Sequence, residues 1–465
     1  MRKVLFFAAL FGALGGVAFA QTSVETETLA TEAEAETEAP VEEVEESTEA
    51  ATTRTGFRSE RSFFEFGIVG AEIGASNSWL SIGELFDMGH FNSAGLLDRG
   101  EFAFELGIFA KPLNLKISLG SLFTLRVNVG VDADLRFGTT EGTMTTIKNM
   151  LGFIDNIGNL FNTSSDVIEI NDTLSQINSL RAGLTVEGEA FGVLDILGER
   201  TFLQDKLWLK AGPSVFLPVL YIPRQSIGLE GYASSINNKD ELLGKKIGVH
   251  STGTGIDAWT AFIDGGSPGV GIDLSLEGRY AFLPILDAGA AISGIPLVPA
   301  FMDHKRSFKL EMDYSVQFPG EQDLINGDVG ELLTTNLDYG FNDAASEKKA
   351  VLRPIRFNFY GIYKPLKSSF LLVIPEVGFS IKYPGSDFSY TTFNWGVNAQ
   401  INLPIILSVQ AGIRRFEEVW SNSVGFILNF RAFELDLGVA LRGPTFSSSW
   451  SAKGLNALVG FKFGW

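Results

Sequence analysis

The chain has no cysteine, which excludes disulfides, thiolate metal sites and thiol nucleophiles from all 465 residues. Histidine is nearly as scarce. Only His90, His250 and His304 occur, and no two stand at the helical spacing that a metal pair would need. His250 adjoins Ser251, but neighbours on an extended strand point to opposite faces, so the two do not make an activated serine. Glycine-bearing Thr252-Gly-Thr-Gly255 and Gly269-Val-Gly271 lack the strand-to-helix setting of a phosphate loop. No catalytic residue, metal or cofactor is expected. A basic stripe is also missing, and a formal net charge of −19 argues against nucleic acid as a partner.

Long hydrophobic runs are confined to the N-terminus. The one later stretch of helix-spanning length, Ala281 to Phe301, is interrupted by Pro284, Asp287, Pro296 and Pro299, which a helix in lipid would not tolerate. At the start, Arg2 and Lys3 precede an apolar run from Val4 to Val17, and Ala18-Phe19-Ala20 has the small-x-small form of a signal-peptidase site. Residues 1–20 are therefore expected to be a signal peptide, with a mature chain from Gln21. The next 33 residues, 21–53, hold eleven glutamates and no basic or aromatic side chain. Such a segment cannot bury enough apolar area to offset the entropy of ordering. Residues 21–60 are expected to form a disordered acidic arm in the periplasm, a solvated spacer or a docking point for a basic periplasmic partner. Without Arg2 and Lys3 the charge is −21, and residues 54–465 carry −10 of it.

What the body of the chain does have is a two-residue rhythm. From Leu125 to Phe137 the apolar set Leu125, Val127, Val129, Val131, Ala133, Leu135 and Phe137 alternates with Arg126, Asn128, Gly130, Asp132, Asp134 and Arg136. Phe308–Phe318, Phe393–Leu403 and Phe433–Leu441 alternate the same way. A soluble sandwich also alternates. Its apolar faces would be rich in branched aliphatics, however, whereas 39 phenylalanines recur here, with seven tryptophans and nine tyrosines to supply interfacial belts. Residues 61–465 are thus expected to form a closed antiparallel transmembrane β-barrel of about fourteen strands, twelve to sixteen being compatible, in a bacterial outer membrane. Candidate strands before residue 300 lie near residues 63–74, 101–119, 123–137, 184–196, 202–216, 219–230, 269–283 and 285–294.

Connections alternate in length as such barrels require. Residues 443–453 are long, Phe430-Arg431 tight, 415–420 medium, Leu403-Pro404 tight, 384–390 open, Lys364–Ser368 short and 319–350 longest. Helical spacing in Thr145–Phe161 and Val167–Leu180 predicts a helical insertion within 139–182, and Asp323–Leu337 a further short helix. Asn77–Phe86 predicts a short plug helix within a plug-like segment at 75–95.

If apolar residues face lipid, their alternates face the lumen. The candidates are Arg126, Asp132, Asp134, Arg136, Asp273, Glu277, Arg279, Lys309, Glu311, Asp313, Glu434 and Asp436, together with Arg356, Lys382, Arg414, Arg431, Lys462 and Glu376. Nine of each sign cancel. They would make either a lattice of wall ion pairs or a polar pathway of weak charge selectivity. On the last strand Ala457, Val459, Phe461, Phe463 and Trp465 share one face, and the terminal aromatic resembles the assembly signal of outer-membrane barrels carried by Phe461, Phe463 and Trp465. The assembly machinery and outer-membrane lipid are the partners this implies.

Gly269-Val-Gly-Ile-Asp-Leu274 running into Gly278-Arg-Tyr280, followed by the small-residue strand Asp287-Ala-Gly-Ala-Ala-Ile-Ser-Gly294, resembles the bacterial barrels grouped with long-chain fatty-acid transporters. The resemblance covers the architecture of residues 60–465 and implies about fourteen strands, an N-terminal plug and inward passage of hydrophobic compounds. It departs at the plug, where that group carries an Asn-Pro-Ala element and this chain has no Asn-Pro at all. No ligand residue carries over. The reading is a plugged transport barrel for hydrophobic or small solutes. Its alternative is a non-transporting structural barrel or adhesin whose acidic arm binds a periplasmic partner.

Overall fold

The computed structural model describes residues 63–464 apart from 82–83, 85–97, 120–122, 147, 149–166, 180, 239–240, 242–244, 253–254, 263–266, 318–332, 342–344, 404–405 and 431. The signal peptide, the acidic arm and Trp465 lie outside the described residues.

In chain order the strands begin with β1 (Phe64–Asn77), β2 (Ala103–Ser118), β3 (Thr124–Thr139), β4 (Arg181–Phe202), β5 (Leu207–Tyr232), β6 (Lys246–Thr252) and β7 (Ile256–Thr260). Then come β8 (Gly271–Leu283), β9 (Leu286–Val298), β10 (Ala300–Gln317), β11 (Leu333–Phe341), β12 (Ala345–Val351) and β13 (Ile355–Tyr363). The last are β14 (Leu371–Lys382), β15 (Tyr390–Asn402), β16 (Leu407–Phe416), β17 (Val419–Asn429), β18 (Phe433–Gly443) and β19 (Gly454–Gly464). Two helices are described along their whole length, α1 (Val167–Asn178) and α2 (Phe446–Trp450), and residues 143–146 are helical as well.

Fourteen of these strands close a ring in which every neighbour is antiparallel: β1 to β5, then β8, β9 and β13 to β19. Closure is made by β19 against β1, from Glu65 opposite Gly464 to Ser76 opposite Gly454. An edge-free ring satisfies its backbone groups internally, which is what lipid demands. Alternation decides the faces. On β18, Leu437 is 39% exposed and its neighbour Asp436 only 6%. Val377, Phe393, Val397, Val424, Phe426, Val439 and Val459 continue the exposed apolar surface around β14 to β19.

Aromatic clusters bound that surface at both ends. Phe430 stacks on Phe433 at 4.5 Å, and Phe461 and Phe463 extend the group. At the other end Trp395, Trp420 and Phe446 form edge-to-face contacts at 5.4 and 5.1 Å. Between them β17 spans Val419–Asn429, about 25–30 Å along the axis at usual strand tilt, the height of a lipid-facing band.

Connections at the two ends differ. Residues 203–206, 284–285 and 403–406 are short turns at one end, and 78–102, 140–180 and 444–453 are long segments at the other. Three expectations about connections need correction. The stretch 415–420 is a two-residue turn, Glu417-Glu418, with φ of +47° and +74°. The ranges 202–216 and 219–230 are one strand of 26 residues, β5. Its first half pairs with β8, and its second half leaves the ring to pair with β7 and β6. The long loop at 319–350 contains β11 and β12, so Leu333–Leu337, taken as helical, is extended. Residues 323–332 of that helix lie outside the described residues.

β10 accounts for the last two corrections. It pairs with β6 and β7 along one edge and with β11 and β12 along the other, so a second sheet projects past the long-loop end. The sheet is rooted by an apolar core that includes Phe191, Phe216, Tyr221, Trp259, Met302, Val351 and Tyr383. Of the helical insertion, α1 is described and 149–161 lies outside the described residues. Of the plug-like segment, 75–77 belong to β1. Trp79 is buried against Phe102 and donates from Nε1 to the Gly100 carbonyl, beside Lys453 at the long-loop end. Residues 82–83 and 85–95 lie outside the described residues.

Candidate functional site

The site is the lumen, and alternation on three strands builds it. On β3, Asp132, Asp134 and Arg136 point inward together because they stand two apart. Glu187 and Glu189 do the same on β4, and Arg356 on β13 comes from the opposite wall. Lys382 closes β14, fully buried, with its Nζ 2.6 Å from Glu189, 3.1 Å from Asp134 and 3.1 Å from Glu417. Arg356 donates to Asp132 at 2.9 Å and to Glu417 at 2.8 Å. Arg136 lies 3.1 Å from Asp134, 3.7 Å from Glu187 and 3.9 Å from Glu417. Tyr390 donates to Glu187 at 2.9 Å. These contacts join β3 and β4 to β13, β14 and the β16–β17 turn, which lie across the ring from them. A septum of ion pairs therefore crosses the lumen near its long-loop end.

Glu417 is central to the septum because its turn aims it inward. The Asn394 side chain accepts from its backbone N–H at 2.8 Å, and its carboxylate meets Arg356 and Lys382 while almost fully buried. Nearer the short-turn end, wall pairs stay local: Lys462 with Glu434 at 3.2 Å, Lys364 with Asp287 at 2.9 Å, Lys116 with Glu65 at 3.7 Å, and Arg126 with Glu199. Between the two zones lie adjoining cavities of about 390 and 370 Å³.

Nine of the twelve foremost lumen candidates are on ring strands. Asp132, Asp134 and Arg136 join the septum. Asp273 meets Arg353 at 3.1 Å, and Glu277 meets Lys210 at 2.5 Å and the Tyr360 hydroxyl at 2.8 Å. Arg279 lies over the Trp208 ring, Asp436 is buried, and Arg126 and Glu434 make the pairs above. Lys309, Glu311 and Asp313 are elsewhere, on β10 in the projecting sheet. Lys309 and Glu311 are exposed there, and Asp313 pairs with Lys246 at 2.9 Å and accepts from Tyr232 at 2.8 Å. Their alternation is real, but it serves a sheet bathed by water and not the barrel wall. Arg431 lies outside the described residues. Phe461 and Phe463 are on the outward face of β19.

Sequence reasoning missed Glu105, Glu187, Glu189, Glu417, Tyr390 and Arg442, the last of which donates to Glu105 at 2.7 Å. The first three share an inward parity on β2 and β4 that could have been read from spacing alone. Glu417 sits in a turn, where no period exists to find it. The wall ladders shift register at several points, on β1–β19, β4–β5 and β8–β9 as well as on β2–β3. At Lys111-Pro112 the β2–β3 ladder shifts register between Ala110 and Leu113, and the β1–β2 ladder skips from Gly67 to Ala71. Proline has no N–H to give a ladder, so a break there is expected.

The chain is a membrane-spanning barrel. No protein-family profile and no curated protein matches it. Among solved structures it is similar to the toluene transporter TodX of P. putida, with a TM-score of 0.43 at 8% identity over 88% of this chain and 91% of that one. It is likewise similar to the toluene transporter TbuX of Ralstonia pickettii, with a TM-score of 0.38 at 9% identity over 87% and 90%. A Pseudomonas aeruginosa FadL homologue gives 0.35 at 8% identity over 86% and 90%. The likeness is one of barrel outline alone.

Proposed function

We propose that this chain is an outer-membrane transport barrel, its short turns in the periplasm and its long segments outside, that passes small solutes through a lumen closed at rest by the cross-lumen septum. The observation that carries the reading is the reach of Lys382 and Arg356 to carboxylates on the opposite wall. A purely structural barrel could neutralise each wall locally, as it does at Lys462–Glu434. Bonds between walls instead place the closing element where opening requires only that they part. The cavities beneath set charged and amide side chains among apolar ones such as Ile374, Phe416 and Leu458, a lining open to small solutes with polar groups. A hydrophobic solute finds its opportunity in the wall, at the ladder break beside Pro112.

The test is conductance of the full chain in planar bilayers. Wild type is expected to be mostly closed, and Lys382→Met to open it by leaving three carboxylates to repel one another. Closed behaviour in both, in protein that is assembled by heat-modifiable migration, would leave only the structural alternative.

A further inference from the structure

The middle of the lumen is hollow on one side because its wall there is built from small residues. Gly412, Gly425 and Gly438, on β16, β17 and β18, border the larger cavity without sending a side chain into it. The smaller cavity adjoins it, and both are bordered by Glu72, Asn358, Glu376, Arg414 and Arg442.

The charges bordering this space do not balance. Eight carboxylates face it against four cationic side chains, Arg136, Arg356, Arg414 and Arg442. Counting also Lys210 and Lys382, which reach bordering carboxylates from outside, and Glu187 and Glu189, which Arg136 and Lys382 pair as well, the carboxylates remain in excess. Within low-dielectric walls such an excess is felt across the whole cavity and raises the local concentration of cations.

Part of the uncharged lining points the same way, beside apolar Ile374, Phe416 and Leu458. Asn358, Asn398, Gln410, Ser421, Ser423 and Asn456 border the larger cavity. Asn456 is only 6% exposed, and its Nδ2 donates to Glu72 at 2.6 Å. No described donor reaches its Oδ1. A buried carbonyl oxygen left without a donor costs free energy that a solute N–H or O–H would recover. Carboxylates and a waiting amide oxygen are all acceptors, so the complementary ligand is a donor with positive charge.

We infer that this cavity is the resting site, on the transport path proposed above, of a small organic cation rich in N–H and O–H groups. The inference deepens that reading by naming the solute class. An organic anion would meet the carboxylate excess. A hydrocarbon would strip water from the carboxylates and give no hydrogen bond in return. The dimensions suit a molecule of sugar or amino-acid size.

Three probes of one size and differing charge test it: glucosamine, glucose and glucuronate. Liposome swelling with the full chain, in the Lys382→Met background if wild type is closed, is expected to rank them cation, neutral, anion. Glu376→Gln with Asp436→Asn should lower the preference for glucosamine over glucose by about tenfold. Equilibrium dialysis on detergent-solubilised protein gives the second reading, with glucosamine retained best. Equal rates and equal retention, or glucuronate ranking first, overturn the inference while leaving transport standing. Selective retention of glucosamine without flux of any probe supports the site and overturns transport. Gly438→Met, which fills the cavity at a position whose Cβ meets nothing closer than 3.5 Å, should abolish glucosamine retention, and unchanged retention would locate binding elsewhere and overturn this assignment.

Discussion

Lys382, at the end of β14, donates to Asp134 on β3 at 3.1 Å, 248 residues away along the chain and across the barrel from it. The same ammonium holds Glu189 and Glu417, so one cation ties the cross-strand neighbours Asp134 and Glu189 on β3 and β4 to a carboxylate in the β16–β17 turn. Removing one partner from a buried ionic group costs about 3–5 kcal/mol, because the others are left uncompensated. Lys382→Met should therefore lower stability in urea by roughly that amount, and adding Glu189→Gln should recover part of it. A double variant as unstable as the sum of two independent losses would separate Glu189 from the septum.

The lipid face makes a second prediction. Leu437 and Val397 are 39% and 42% exposed on the outer wall, whereas Asp436, 6% exposed, and the half-buried Asn398 take the opposite parity of the same strands. Arginine at mid-membrane costs about 2–4 kcal/mol on the lipid side. Leu437→Arg and Val397→Arg should reduce the folded fraction in heat-modifiability gels, while Asp436→Ala and Asn398→Ala stay close to wild type. Equal damage from all four would undo the assignment of faces.

The two faces were legible in the sequence because period two is a local property. Each of β3, β15 and β18 announces its inward and outward residues without reference to any other strand. The estimate of fourteen strands matches the ring, although spacing alone divided β5 into two candidates. What spacing could not convey is which strands the ring accepts. β10 alternates as cleanly as β3, yet it pairs outside the wall, where β6 and β7 occupy one of its edges and β11 and β12 the other. The septum was illegible for a related reason. Lys382, Glu189 and Asp134 meet only after closure brings opposite walls together, and Glu417 enters from a turn.

The segment beyond β1 carries a pH dependence. Glu84 accepts from Arg99 and from the Ser81 N–H, and these bonds hold its carboxyl down at about 2, against 4.5 for an ordinary glutamate. Arg99 also donates to the Trp79 carbonyl. A carboxyl lowered in the folded state contributes its full stabilisation above 4.5 and loses it as pH falls toward 2. Docking of Trp79 should thus be constant from neutral pH to about pH 5 and loosen below it. The fluorescence difference between wild type and Trp79→Phe reports this, and the Glu84→Gln protein should show the acid signal already at neutral pH. A transition centred above pH 6 would assign it to another group.

The β16–β17 turn allows backbone and ion pairing to be separated. Both residues have positive φ, +47° at Glu417 and +74° at Glu418, a conformation that costs an L-residue about 1–2 kcal/mol and glycine almost nothing. Glu418 is 43% exposed and approaches Arg136 and Arg224 only at 3.9 Å, a contact of little worth at a wet surface. Glu417 is 3% exposed and bonds Arg356 at 2.8 Å and Lys382 at 3.1 Å. Glycine relieves the same backbone cost at either position. Glu418→Gly should then stabilise the barrel by about 1 kcal/mol, whereas Glu417→Gly should destabilise it by about 3 kcal/mol, since the fully buried Lys382 and the half-buried Arg356 lose their shared anion. Urea unfolding of the two variants side by side decides the matter. If Glu418→Gly proves as harmful as Glu417→Gly, the turn is held by both carboxylates, and the septum extends one residue further toward the exterior than the burial of Glu417 alone indicates.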